Sequence, residues 1–171
     1  MELNEVFRQR CSVRKYAETP VEAEKLQEVI SSACIAPTGK NIQPFRIYIL
    51  QSPQAIAKVR ELTRCAFNAP VVLLFTVNTD EEWKNPLQEG ITSGIEDVSI
   101  AATYAMLKAT DLGLGTCWVN WFANSEVEQA FGIPENEKSV LLMTLGYPSD
   151  EHHPSRLHNE KRPLDQLVRV I

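Results

Sequence analysis

From Val98 to Leu107 the chain reads VSIAATYAML, a stretch without one charged side chain inside a segment, 87–113, that reads as a single long helix. Within it Ile91, Ile95, Val98, Ala102, Ala105, Ala109 and Leu112 recur at alternating steps of four and three. A helix that is apolar on nearly every side needs cover on nearly every side. Two arrangements supply that cover. The helix is the central core element of a monomer, or it is held between its own sheet and a second copy of the chain. Gly113 and Gly115 mark its end.

The cover is legible elsewhere in the chain. VVLLFTV (71–77) and SVLLMTL (139–145) are nearly continuous apolar runs, the pattern of strands covered on both faces. PFRIYIL (44–50) reads as a further strand. Residues 3–10 read as a first helix with Leu3, Val6 and Phe7 on one face, and residues 53–64 as another with Ile56, Val59 and Leu62 inward. Thr19-Pro20-Val21-Glu22 has the form of a capping box with proline at the first helical position, opening a helix that ends before Pro37. Ser125 to Glu128 is a second such box, for a short helix closing at Gly132. Strands and helices do not alternate strictly, so the expected class is α+β: a mixed central sheet with helices on both faces. No repeat, linker or low-complexity tract divides residues 1–171, which are expected to form one domain.

The chain is acidic, with 22 Asp+Glu against 17 Lys+Arg and a net charge of −5, which argues against a nucleic-acid binder. No run approaches the roughly 18 apolar residues of a membrane span. The start, MELNEVFRQR, lacks the apolar core of a signal peptide, so a cytoplasmic protein is expected. Cys11, Cys34, Cys65 and Cys117 are widely spaced and read as reduced thiols.

Against that acidic background RCSVRKY (10–16) gathers Arg10, Arg14 and Lys15 around Ser12. It reads either as a solvated charged turn or as an oxyanion site. In an extended segment Arg10, Ser12 and Arg14 share one face while Val13 points into the protein. Two guanidinium forks and a hydroxyl suit a phosphate. No GxxxxGK[ST] or GxGxxG loop is present, so a phosphate held by side chains points to a mononucleotide such as FMN. APTGKNIQPF (36–45) is either an ordinary connection or a loop offering Thr38, Gly39, Asn41 and Gln43 to the edge of a flat heterocycle. GTCWVNWF (115–122) offers Trp118, Trp121 and Phe122 as core residues or as a stacking wall. KRPLDQLVRVI (161–171) adds Lys161 and Arg162 before an apolar end. His152, His153 and His158 do not have zinc spacing and read as a surface loop, so no metal site is expected. Glu96 and Asp97 read as helix-surface carboxylates, and Trp83 as either a lid or a core cap.

Taken in order, RCSVRKY, APTGKNIQPF, the apolar helix ending LGLGTCWV and the late KRPL resemble the FMN-dependent nitroreductase family over nearly the whole chain, as a short member. The resemblance implies a homodimer with FMN at the subunit interface and a C-terminal tail lying across the partner. It implies that Arg10, Ser12 and Arg14 hold the phosphate and pyrimidine side of the flavin. Cys11 stands where members often carry Arg or His, so its contact to the cofactor is expected to weaken or to pass to its backbone. Pro37, Thr38, Gly39 and Asn41 match the loop that reaches the ring from the partner. Trp118, Val119, Asn120 and Trp121 match the segment along the N5 edge, with Asn120-Trp121 where larger members often have Glu-Gly. Lys161 and Arg162 match the late basic contact to the phosphate.

The activity implied is NADH- or NADPH-driven reduction of small electron-poor compounds such as nitroaromatics or quinones. Hydride passes through flavin N5, and Arg14 serves as electrostatic stabiliser rather than acid or base. A relative specialised in dehalogenation or flavin cleavage, and a flavin-binding sensor without turnover, are the alternatives.

Overall fold

The computed structural model describes residues 1–171. Its helices are α1 (Leu3–Gln9), α2 (Ala23–Cys34), α3 (Pro53–Leu62), α4 (Gly94–Asp111), α5 (Asn124–Phe131) and the single turn α6 (Leu164–Leu167). The strands are β1 (Phe45–Leu50), β2 (Val71–Asn78), β3 (Gly115–Val119) and β4 (Glu137–Gly146). They form one sheet in the order β1-β2-β4-β3, each neighbouring pair antiparallel. A parallel bridge between Ser12 and Thr116 adds the RCSVRKY segment beside β3.

Helices cover both faces of this α+β sheet. On one face α2 and α4 pack Val29, Ala33, Val98, Ala101, Ala102 and Ala105 against Leu73, Phe75, Leu141 and Met143. On the other, α3 and α5 pack Ile56, Val59 and Val127 against Leu74, Val119 and Leu142. Alternation along a strand sends successive side chains to opposite faces, so every residue of β2 is buried and the run reads as continuously apolar. The small side chains on the inner face of α4 let its backbone approach the sheet closely.

Several local expectations are corrected. The helix of the apolar segment starts at Gly94, not at 87. Residues 83–93 form a narrow ribbon instead, in which the amides of Asn85 and Ser93 donate to the carbonyls of Ile91 (2.9 Å) and Trp83 (3.0 Å). Pro86 disrupts helical hydrogen bonding there, and Gly90 takes φ +81°. Ile91 therefore leaves the helix, and Ile95 faces outward at 66% exposure. In α1 only Val6 is buried, while Leu3 and Phe7 stay exposed.

Both expected capping boxes fail, each for a tertiary reason. The second helix starts at Ala23, with Thr19–Val21 outside it, because the Glu22 carboxylate accepts from the Tyr147 hydroxyl at 2.8 Å instead of reaching back. Glu128 accepts from the amide (2.7 Å) and hydroxyl (2.9 Å) of Ser139 on β4, and α5 starts at Asn124 without a serine cap. By contrast Ser52 and Pro53 open α3 as local chemistry dictates, with Ser52 Oγ accepting from the Ala55 amide at 3.1 Å.

Candidate functional site

The first motif is pinned by backbone. The Val13 amide donates to the Thr116 carbonyl at 2.8 Å, and Val13 is 2% exposed, facing inward as alternation requires. The opposite side of the segment opens on a cavity of about 260 Å³ lined by Arg10, Ser12 and Arg14 together with Ser155, His158 and Lys161. The 3-10 turn Arg156–His158 brings the late residues to the early ones. Lys161 Nζ donates back to the His158 carbonyl at 2.5 Å, which holds its charge over the cavity. No carboxylate lines this space, and none of the three cations joins an ion pair within the chain. Arg14 also lies over the Phe67 ring at 5.9 Å. Of the two late basic residues, Lys161 lines this cavity and Arg162 does not.

The donor set fits a phosphate monoester. Three cations and two serine hydroxyls line the cavity, and such a group carries roughly −1.5 to −2 charges. Ser155 and His158 escape a reading from spacing. They sit in a segment that looks like surface loop, and only the turn that folds it over Arg10 brings them to the cavity.

Cys11 alternates away from the cavity. Its thiol lies 3.3 Å from His152 Nε2. Burial raises the Cys11 thiol above its ordinary value, outweighing the nearby Arg10 and Arg14. Burial, with His153 and Arg14 adding to it, lowers His152. The pair is thus a neutral thiol beside a neutral imidazole, not an activated nucleophile.

The loop 36–45 is a second, separate piece. The Thr38 hydroxyl accepts from the Gln43 amide at 3.0 Å, and the Gln43 side chain donates to Asn41 Oδ1 at 3.2 Å. Lys40, Asn41 and Gln43 all take positive φ, near +50 to +56°. Such a turn holds its polar groups in one shape. It borders a cavity of about 500 Å³ whose far wall carries Trp83, Ser93 and Ile100. This cavity and the anion cavity share no lining residue. Half-buried Trp83 is therefore a wall of the loop cavity.

The third piece begins as strand β3 and ends as an exposed corner. Trp118 packs towards α2 and α4, and Val119 and Phe122 towards α3 and α5, so the aromatic residues do not form one continuous wall. Trp121 stands alone at 64% exposure, its indole 4.4 Å from the Arg64 guanidinium. Its carbonyl accepts from the Thr63 hydroxyl at 2.5 Å, which ties the corner to the end of α3. Asn120 and Trp121 border an open cleft of about 520 Å³.

Residues 7–68 and 64–147 match the Nitroreductase family. The chain belongs to the nitroreductase family. It is similar to a nitroreductase family protein of Clostridium difficile 630, at 33% identity over 99% of this chain and 98% of that one, with a TM-score of 0.91. It is also similar to an FMN-dependent nitroreductase of Clostridium difficile R20291, at 26% identity, 88% and 90% coverage and a TM-score of 0.72. A third relative is an NADH dehydrogenase of Thermus thermophilus, 27% identical over 194 residues, covering 93% of this chain and 91% of that protein. This nitroreductase-family chain is an oxidoreductase.

Within this nitroreductase fold Asp97 corrects the sequence reading most sharply. Glu96 is exposed as expected, but Asp97 is 2% exposed. Its two oxygens accept from the Gly39 amide at 2.8 Å and the Ser93 hydroxyl at 2.7 Å. No periodicity signals this, because the donors come from a distant loop and from the helix start.

Proposed function

We propose that this protein is an FMN-dependent oxidoreductase that draws electrons from NADH or NADPH and reduces small electron-poor compounds such as nitroaromatics or quinones. The observation that carries the reading is the cavity with Arg10, Ser12, Arg14, Ser155, His158 and Lys161 and no carboxylate. The FMN dependence named for one structural relative supports it.

Arg10, Lys161 and the two serines grip the phosphate. Arg14, at the inner end of the motif, would hold the pyrimidine side, and its fixed positive charge there would favour a reduced, anionic flavin. The chemistry that FMN supplies when bound is the acceptance and return of a hydride. Trp118 to Trp121 would border the ring edge, and the cleft at Asn120 and Trp121 would admit substrate. No side-chain base is needed for hydride transfer, which agrees with the neutral Cys11–His152 pair.

Residues 1–171 act as one domain in a homodimer. Within one chain the loop of Pro37, Thr38, Gly39 and Asn41 does not border the anion cavity, so it serves the ring held by a second copy. The outer side of α4 exposes Ile95, Ile100 and Tyr104, and the tail exposes Leu164, Leu167 and Val170. Apolar surface on both is what a second copy would bury.

Purified protein is expected to be yellow, and its flavin bands to bleach when NADH or NADPH is added without oxygen. A colourless protein that takes up no FMN overturns the proposal.

A further inference from the structure

We propose that Asp97 is a positioning residue for the cofactor: its buried carboxylate holds the loop 37–43 in the shape that meets the flavin. The inference rests on the reading that this loop serves FMN in the dimer.

The geometry gives Asp97 little else to do. A carboxylate at 2% exposure has lost its water, and such a group needs strong partners. Its partners here are an amide and a hydroxyl, not a cation. One donor, Gly39 N–H, belongs to the loop itself. The other, Ser93 Oγ–H, belongs to the residue that precedes α4. Asp97 thereby joins the loop to the longest and most buried helix of the fold.

The fit at the joint is tight. A Cβ on Gly39 would stand 2.8 Å from Ser93 Oγ and 3.2 Å from Trp83 Cβ, so the close approach needs glycine. The Ser93 amide donates in turn to the Trp83 carbonyl at 3.0 Å, which brings the 83–93 ribbon into the same joint. Immediately after Gly39 the backbone enters the left-handed region at Lys40 and Asn41 and again at Gln43. Residues of this kind persist in that region only where their surroundings hold them. The Gly39–Asp97 bond is the anchor next to that strained run. Freed from it, the loop would have to be ordered by the cofactor itself, and binding would weaken by that cost.

The test compares full-length wild type, Asp97→Asn and Asp97→Ala. FMN affinity is read by quenching of flavin fluorescence, well below each variant's Tm. Exchange of the Gly39 amide is read by hydrogen–deuterium exchange. Asn keeps an acceptor for Gly39 but removes the charge; Ala removes both contacts. The expected result is a graded series. Gly39 exchange quickens and the FMN Kd rises from wild type to Asn to Ala, with Ala weaker by on the order of 10- to 100-fold, the range of one hydrogen bond to a charged group.

If Ala fails to fold, the wild type and Asn pair decides by the same two readouts. A folded variant with a lower Tm but an unchanged FMN Kd overturns the proposal, because Asp97 is then only a structural residue. Absence of FMN binding by the wild type itself is a different result, and overturns the functional reading on which the proposal stands.

Discussion

Arg10 and Arg14 face the anion cavity without any carboxylate partner in the chain, so their charge is available to a ligand. Each charge-assisted hydrogen bond to a phosphate is worth about 1.5–3 kcal/mol. Arg14→Ala is expected to weaken FMN binding roughly 10- to 100-fold on that basis, and the Arg10→Ala, Arg14→Ala double variant further still. Titration with FMN followed by fluorescence checks both, and full retention by the double variant would show the cavity to be misassigned. His152 carries a second prediction at this scale. Burial lowers it from its ordinary 6.5, so the unfolded chain binds the proton more readily than the folded one. Its contribution to stability is full above pH 6.5 and is lost as pH falls through the lower folded value. Urea unfolding over a pH series should show a shallower acid loss in His152→Gln than in wild type.

At the scale of elements, β3 is what places the RCSVRKY segment. Its first residue, Gly115, is packed so closely that a Cβ there would lie 2.9 Å from Val13 Cβ and 3.1 Å from Pro148 Cγ. Gly115→Ala must push RCSVRKY off the sheet edge or strain it, a cost of about 1–3 kcal/mol for overpacking. The expected outcome is a lower Tm together with weaker FMN binding, measured by thermal unfolding with and without FMN. A Tm shift that leaves the Kd untouched would separate the strand from the site. The ribbon 83–93 has the converse lesson. Ile91 continues the apolar periodicity of α4 into it, yet Pro86 and Gly90 keep it out of the helix, and its ends, Trp83 and Ser93, wall the loop cavity. Periodicity reports which residues are apolar; it does not report where hydrogen bonding can propagate.

For the whole molecule, the apolar segment around α4 has one face filled by its own sheet and another left open in a single chain. Val98, Ala101, Ala102 and Ala105 are fully buried, whereas Ile95, Ile100 and Tyr104 are exposed. A charge placed on the open face should cost assembly rather than folding. On the proposed FMN-bearing homodimer, Ile95→Glu with Tyr104→Glu is expected to shift sedimentation from dimer to monomer and to release FMN, while far-UV circular dichroism stays that of wild type. A variant that remains dimeric would place the interface elsewhere.

The sequence by itself determined what depends on neighbours along the chain. It set the apolar runs of β2 and β4, the stop of the long helix at glycine, the helix that begins at residue 53, and the alternation that turns Arg10, Ser12 and Arg14 away from Val13. Tertiary structure alone decided what depends on competition between distant partners. Glu22 and Glu128 abandon local caps for Tyr147 and Ser139, Asp97 leaves the surface for Gly39 and Ser93, and Ser155, His158 and Lys161 fold over residues from the other end of the chain. A polar group takes whichever donor or acceptor the packed core brings nearest, and that choice exists only once the core has formed.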